Sequence, residues 1–244
     1  AAIVGDGACA ANPDLAMELN TERVEWMSNN TDARIIFPST CSVYGANEDL
    51  LDENSPVNPL SVYAVSKLQA ESHVLEHNGL VFRLGTLFGV GDTYSRIRMD
   101  LVVNLLTAKA FVDGRISIFG GDQYRPLLHV KDVGYAIAAN IDSDLSGAFN
   151  LHQTNMRIRD LADHLALQFP DLKVDYTDVA FQDNRNYQVS SDKAIDGFGF
   201  LPKYSVNDGI LEVRELLEQG RIKDASSPRY SNSDYIRTLP GLGR

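Results

Sequence analysis

Short apolar runs alternate with longer amphipathic stretches along the whole chain, and this alternation most restricts the fold. The short runs are RIIFPST (34–40), GLVFRL (79–84), ISIFG (116–120), GAFNLH (147–152) and LKVDYTD (172–178). Between and around them lie PDLAMELNTERVEWMSNN (13–30), SVYAVSKLQAESHVLEHN (61–78), MDLVVNLLTAKAFVDG (99–114), VKDVGYAIAANID (130–142), MRIRDLADHLALQF (156–169) and VNDGILEVRELLEQG (206–220). The first set is β-branched and aromatic, as strands are; the second has helical spacing. Strands separated by helices cannot pair through tight hairpins, so each helix crosses over and the strands run parallel. The expectation is an α/β fold with a parallel sheet. The stretch from Arg221 to Arg244 is polar and rich in Ser. It is expected to wrap the surface or fray.

The opening AAIVGDGACAANPD contains Gly5, Gly7 and Ala10, which spell G-x-G-x-x-A. A dinucleotide turn of that kind needs a buried strand before it, a helix opening on it, and an acidic residue at the tip of the next strand. Here the preceding apolar run is only Ala1 to Val4, Pro13 interrupts the following helix, and RIIF runs into Pro38, Ser39 and Thr40 without a carboxylate. The motif is read as a coincidence.

A net charge of −11 argues against a nucleic-acid or anionic-membrane partner. It leaves room for an anionic small ligand held by local arginines. Cys9 and Cys41 are too few for a disulfide framework, and no signal-like or membrane-spanning run is seen, so a cytoplasmic setting is expected. His73 and His77 share a helical face but have no third ligand nearby, so no metal site is expected.

The stretch that carries chemistry is SVYAVSKLQAE. Tyr63 and Lys67 stand at i and i+4 on one helical face. A lysine cation beside a phenol favours the phenolate, and a phenol so tuned can exchange a proton with a sugar hydroxyl or a ketone. The bare spacing also fits a surface Tyr beside a solvated Lys. The context decides between them. Upstream is FPSTCSVYG, where a strand ends in hydroxyl side chains on the ligand side of a parallel sheet. Downstream come FRLGTLFGVGD and FGGDQYRPLLHVKDV. In order and spacing these motifs resemble the extended short-chain dehydrogenase/reductase family, the sugar-nucleotide epimerases and dehydratases, over almost the whole chain.

That resemblance implies a Rossmann-like doubly wound parallel sheet with a smaller mixed α/β C-terminal substrate domain. The dinucleotide-binding part would comprise 1–88 and 124–151, and the substrate-binding part 89–123 and 152–244. Ala1 and Ala2 look like the end of the family's fourth strand, so the true glycine-rich turn and the first strands are expected upstream of this chain. The implied catalytic residues are Thr40, which bonds the reacting hydroxyl, Tyr63, the general acid/base, and Lys67, which tunes it and bonds the nicotinamide ribose. Ala1, Ala2, Asn20, Ser39, Tyr63 and Lys67 would contact the cofactor, NAD or NADP. Thr86, Arg125 and Arg185 would hold a nucleotide-diphosphate sugar, guanidinium being suited to paired phosphate oxygens. Arg83 is read as structural, Arg96 and Arg98 as lesser candidates in a variable substrate loop, and His129 and Asp132 as braces of a helix start.

Two departures narrow the chemistry. The 4,6-dehydratases follow the strand-end Thr with Asp and Glu; here Cys41 and Ser42 stand there, which disfavours that elimination. Cys41 is read as a small buried residue rather than a nucleophile. The expected activity is NAD(P)-dependent epimerisation of a sugar nucleotide by transient oxidation of a sugar hydroxyl, the alternatives being a keto-sugar nucleotide reductase or dehydratase-type oxidoreductase, or a non-catalytic nucleotide-binding relative. The family also implies a homodimer through the helix near 14–28 and the helix bearing Tyr63, with Trp26 and Met27 as contact or core residues.

Overall fold

A computed structural model describes residues 2–92, 94, 96–177 and 186–239. Helix α1 (Asp6–Ala11) is followed by α2 (Pro13–Met17), a π-helical turn (Glu18–Glu22) and α3 (Arg23–Asn29). Then come β1 (Ile36–Thr40), β2 (Leu50–Leu51), α4 (Val62–Glu76), β3 (Leu80–Leu84) and β4 (Thr86–Phe88). The middle of the chain forms α5 (Val102–Asp113), β5 (Arg115–Phe119), β6 (Tyr124–His129), α6 (Val130–Ala139) and β7 (Gly147–Leu151). The remainder forms β8 (Thr154–Arg157), α7 (Ile158–Gln168), β9 (Lys173–Thr177), β10 (Gln188–Val189), α8 (Asp192–Phe198), α9 (Val206–Glu218) and α10 (Asn232–Thr238).

The strands β1, β3 and β7 form a parallel sheet in that order, with Thr40 opposite Leu84 and Arg83 opposite Asn150. Every residue of β3 is buried, as expected of a parallel strand covered on both faces. Its side chains divide by parity. Val81 packs with Phe37, Ala70, Val74 and Val24 on the side of α3 and α4. Leu80, Phe82 and Leu84 pack with Val133, Ala136, Ala194 and Phe200 on the side of α6 and α8. Helices on both faces of a parallel sheet give the expected α/β architecture.

The other strands form further sheets. Strand β4 pairs with β6 in parallel, and β6 with β8 antiparallel; β5 pairs with β9 in parallel, as β10 does with β2. Helices α5, α7 and α9 close this part over Phe88, Val103, Ile118, Leu161, Leu165 and Ile210. From Ile222 to Leu239 the chain wraps the surface, the first of the two expected outcomes: Ile222 and Tyr230 are buried, and α10 packs on α1. No described helix is long and apolar enough to cross a membrane.

Candidate active site

The site is built where β1 ends and α4 begins. Ser61 starts α4: its hydroxyl accepts the Ala64 N–H at 3.2 Å and donates to the Asp6 carboxylate at 2.7 Å. That cap fixes the first helical turn, which carries Tyr63. At the strand tip, Thr40 Oγ1 accepts the Ser42 N–H at 3.1 Å and lies 3.1 Å from Ser42 Oγ.

Tyr63, Thr40 and Ser42 line one cavity of about 560 Å³, which Ser39 also borders. Its further wall brings in Thr86 and Arg125, together with Lys109, Phe119 and Gln123. Arg125 is buried, and one of its guanidinium nitrogens donates to the Tyr124 carbonyl at 2.9 Å. Arg98 and Asp100 also line the cavity, paired through Nε–Oδ1 at 2.9 Å and Nη2–Oδ2 at 3.1 Å.

Burial pushes the Tyr63 phenol well above its ordinary range; the Arg98 guanidinium and a hydrogen bond with Thr40 pull the other way. Lys67 is 5 % exposed, and its ammonium lies 3.8 Å above the Phe37 ring. Burial lowers it to about 8, with Glu71 and Cys9 opposing. No hydrogen bond joins Lys67 to Tyr63 among the described residues. The phenol is therefore not drawn toward neutrality by Lys67 here. Arg98, a lesser candidate in the sequence, is the cation that most eases ionisation of Tyr63.

The other predicted residues divide. Asn20 spends both amide ends on Ile3, accepting its N–H at 2.8 Å and donating to its carbonyl at 2.8 Å, with a further 3.1 Å bond to Ser66 Oγ. It clasps the segment before α1 to α4. Ser39 donates its hydroxyl to Glu71 rather than into the cavity. Ala2 lines a second cavity with Leu15, Arg96 and Ile236. Ala1 and Arg185 lie outside the described residues. Arg96 is held by the Arg229 carbonyl and Asn232. Arg83 forms a buried pair with Glu71, as its structural reading expects. His129 caps α6 by accepting the Lys131 N–H at 3.1 Å, whereas Asp132 instead anchors the Lys203 and Tyr204 amides. Cys41 is fully buried and donates its thiol to the Arg83 carbonyl at 3.1 Å. Trp26 and Met27 are exposed on α3. No cluster of three metal-ligating side chains occurs among the described residues.

Sequence reasoning missed Asp6, Asn232 and Ser233 as cavity residues. Asn232 donates its amide to the Val4 carbonyl at 2.9 Å, and its backbone N–H to Asp100 at 2.8 Å, so α10 closes the cavity from the far end of the chain. Nothing local in the sequence signals that closure.

Known proteins resemble this chain. The protein is 32% identical over 111 residues to an uncharacterized UDP-glucose epimerase, YtcB, of Bacillus subtilis, covering 43% of this chain and 34% of that protein. It is 26% identical over 206 residues to a putative UDP-glucose 4-epimerase of Methanocaldococcus jannaschii, covering 78% of this chain and 65% of that one. The chain thus spans less than two thirds of the length of these relatives. Among solved structures, the NAD dependent NDP-hexosamine 5,6-dehydratase TunA superimposes with a TM-score of 0.79 at 20% identity, covering 92% of this chain and 77% of that one. The UDP-glucuronic acid 4-epimerase of Bacillus cereus, solved with UDP-glucuronic acid and NAD, does so at 0.76 and 20% identity, covering 89% and 73%. These two show a shared fold. The model of one family, whose cofactor is NAD, matches residues 1–151, the part that contains the Thr40 strand tip, the Tyr63–Lys67 helix and the whole β1–β3–β7 sheet; the chain belongs to the NAD dependent epimerase/dehydratase family.

Proposed function

We propose that this protein is a nucleotide-sugar epimerase that works by transient oxidation of a sugar hydroxyl. The observation that carries the reading is that Tyr63 and Thr40, from two separate elements, line one cavity together with Arg125. Residues 1–88 and 124–151 would serve the cofactor and the rest the sugar nucleotide.

The residues present suit the nicotinamide end of NAD. Lys67 is a buried ammonium that lies over the Phe37 ring, and it would donate to hydroxyl oxygens of a ribose. When bound, NAD accepts a hydride from the sugar carbon and returns it. Tyr63 takes the hydroxyl proton of that carbon and gives it back. Thr40 orients the reacting hydroxyl through the hydrogen bond it shares with the phenol. At rest the buried phenol holds its proton. Ionisation during turnover then draws on Arg98. Arg125 would grip the diphosphate, and Arg185 is a second proposed contact. Binding energy from the diphosphate lets the sugar itself be held loosely enough to turn. A homodimer through α3 and α4 belongs to this reading, with the exposed Trp26 and Met27 in its support.

Incubation with NAD and either UDP-glucose or UDP-galactose should yield the other sugar, seen by NMR. Tyr63→Phe should lower turnover by about 100-fold or more; unchanged turnover in that variant refutes the assignment. The protonated resting phenol equally suits delivery of a proton to a keto sugar. Stoichiometric consumption of NAD(P)H with a 4-keto-sugar nucleotide, without epimer formation, would make the protein a reductase instead.

A further inference from the structure

Behind the cavity wall lies a buried charged cluster to which the proton chemistry of Tyr63 assigns no part. Glu71 is four residues beyond Lys67 and eight beyond Tyr63, so the three side chains rise from one face of α4. The parity of the strands explains its partners. Phe37 and Val81 face α4, and so do Ser39 and Arg83, two residues further on. Arg83 donates Nε at 3.0 Å and Nη2 at 2.8 Å to Glu71 Oε2, and Ser39 donates its hydroxyl to Oε1. Arg83 Nη1 reaches the Tyr44 hydroxyl at 3.0 Å, which donates to Asn150 Oδ1 at 2.9 Å. Glu71 is 2 % exposed and Arg83 7 %. Removing such a pair from water costs about as much as its attraction returns, so it is a poor device for stability alone.

The groups facing Lys67 are few. Glu71 comes from its own helix, Cys9 from α1 and the Phe37 ring from β1; Arg83, on β3, stands beyond Glu71. The only carboxylate among them is Glu71. We propose that Glu71 is a positioning residue for the proton-transfer site: its carboxylate is the counter-charge of the Lys67 ammonium and the anchor of the Ser39 hydroxyl at the tip of β1. The inference rests on the reading of Tyr63 and Lys67 given above. Burial drives an ammonium to shed its proton, and of the groups that resist this at Lys67, Glu71 acts most strongly. The forked bond to Arg83 keeps the carboxylate from swinging onto Lys67, which leaves the ammonium open to a ligand oxygen.

The test follows the Nζ resonance of Lys67 by NMR in the full chain labelled in its lysines, with Lys67→Arg to assign the signal. Glu71→Gln should lower the ionisation midpoint of Lys67 by about one pH unit or more, and Glu71→Asp should restore most of it. The alkaline limb of the turnover profile should move to lower pH with it. Should Glu71→Gln fail to fold because Arg83 is left unpaired, the double variant Glu71→Gln, Arg83→Met removes both charges, and the midpoint must still fall. An unchanged midpoint in either folded variant overturns the inference, even with Tyr63→Phe inactive. A fallen midpoint beside a fully active Tyr63→Phe would sink the reading of Tyr63 and leave the coupling of Glu71 to Lys67 standing.

Discussion

His129 and Glu212 meet across 2.9 Å, Nε2 to Oε2, with the histidine ring fully buried. Because Nδ1 accepts the Lys131 N–H, Nε2 carries the proton and donates it. Glu212 also accepts the Val90 N–H at 2.8 Å and pairs with Lys131 Nζ at 2.5 Å. One carboxylate thus ties α9 to the start of α6 and to the loop that leaves β4. Burial works to raise its ionisation, and these bonds outweigh burial, holding it down at about 2. A carboxylate depressed on folding stabilises the protein above its unfolded value, and that contribution fades as pH falls toward its folded one. Glu212 should therefore lose its contribution between about pH 4.5 and pH 2. Glu212→Gln should cost about 2 kcal/mol at neutral pH and flatten the acid limb in that window. Urea unfolding across pH measures both.

Gly89 follows β4 with φ +78, and a Cβ there would stand 2.0 Å from His129 Nε2. Its own N–H donates to Asn104 Oδ1 at 2.9 Å, so the chain cannot swing away without breaking that bond. Gly89→Ala combines a strained backbone with a collision on a buried ring. The expected cost is about 3 kcal/mol or more, read as a lowered denaturant midpoint.

Thr40 and Cys41 are neighbours that face opposite ways, one into the cavity and the other into the packing around Val43, Tyr44 and Tyr187. Burial pushes the Cys41 thiol far above the range in which it could act as a thiolate. Thr40→Ala should lower turnover about 10- to 100-fold, with Thr40→Ser recovering most of it. Cys41→Ser should keep activity within about threefold, while a native thiol assay labels neither buried cysteine. Steady-state kinetics on the three variants separates the two positions.

The longer elements were legible because each has an unambiguous period: the apolar run of β3 and the helical spacing of α4 and α9 needed no tertiary knowledge. Strand β6 was visible only as the motif QYRPLLH. Pro126 argues against a central strand, yet Arg125 to His129 are all buried between β4 and β8. Tyr63 and Thr40 could be found from the order of motifs along the chain. Glu71 could not: a glutamate in a helix is ordinarily solvated, and its partner Arg83 joins it only once β3 lies beside α4. Asn232 is more distant still. Its contact with Val4 spans almost the whole chain, and only scattered apolar residues such as Ile222 and Tyr230 hint that the tail folds back.

His152, just past β7, is clasped on both ring nitrogens, with Nδ1 2.6 Å from Ser191 Oγ and Nε2 3.2 Å from Asn155 Nδ2. Asn155 in turn accepts the Val189 N–H at 3.0 Å and donates to its carbonyl at 2.9 Å. The cluster fastens β10 to β8 beside the core sheet. Burial lowers His152 to about 4, against a weaker opposing pull from Asp192. An unfolded histidine takes up its proton near pH 6.5, so in the interval the unfolded chain binds more protons than the folded one. The stability that His152 contributes should thus be complete above pH 6.5 and drain away as pH falls to about 4, by at most about 3 kcal/mol. This window lies above that of Glu212, so the two can be told apart. His152→Gln, which keeps hydrogen-bonding ends without a titrating ring, should remove the upper slope and leave the lower one. Persistence of the upper slope in the folded variant would assign it to another group.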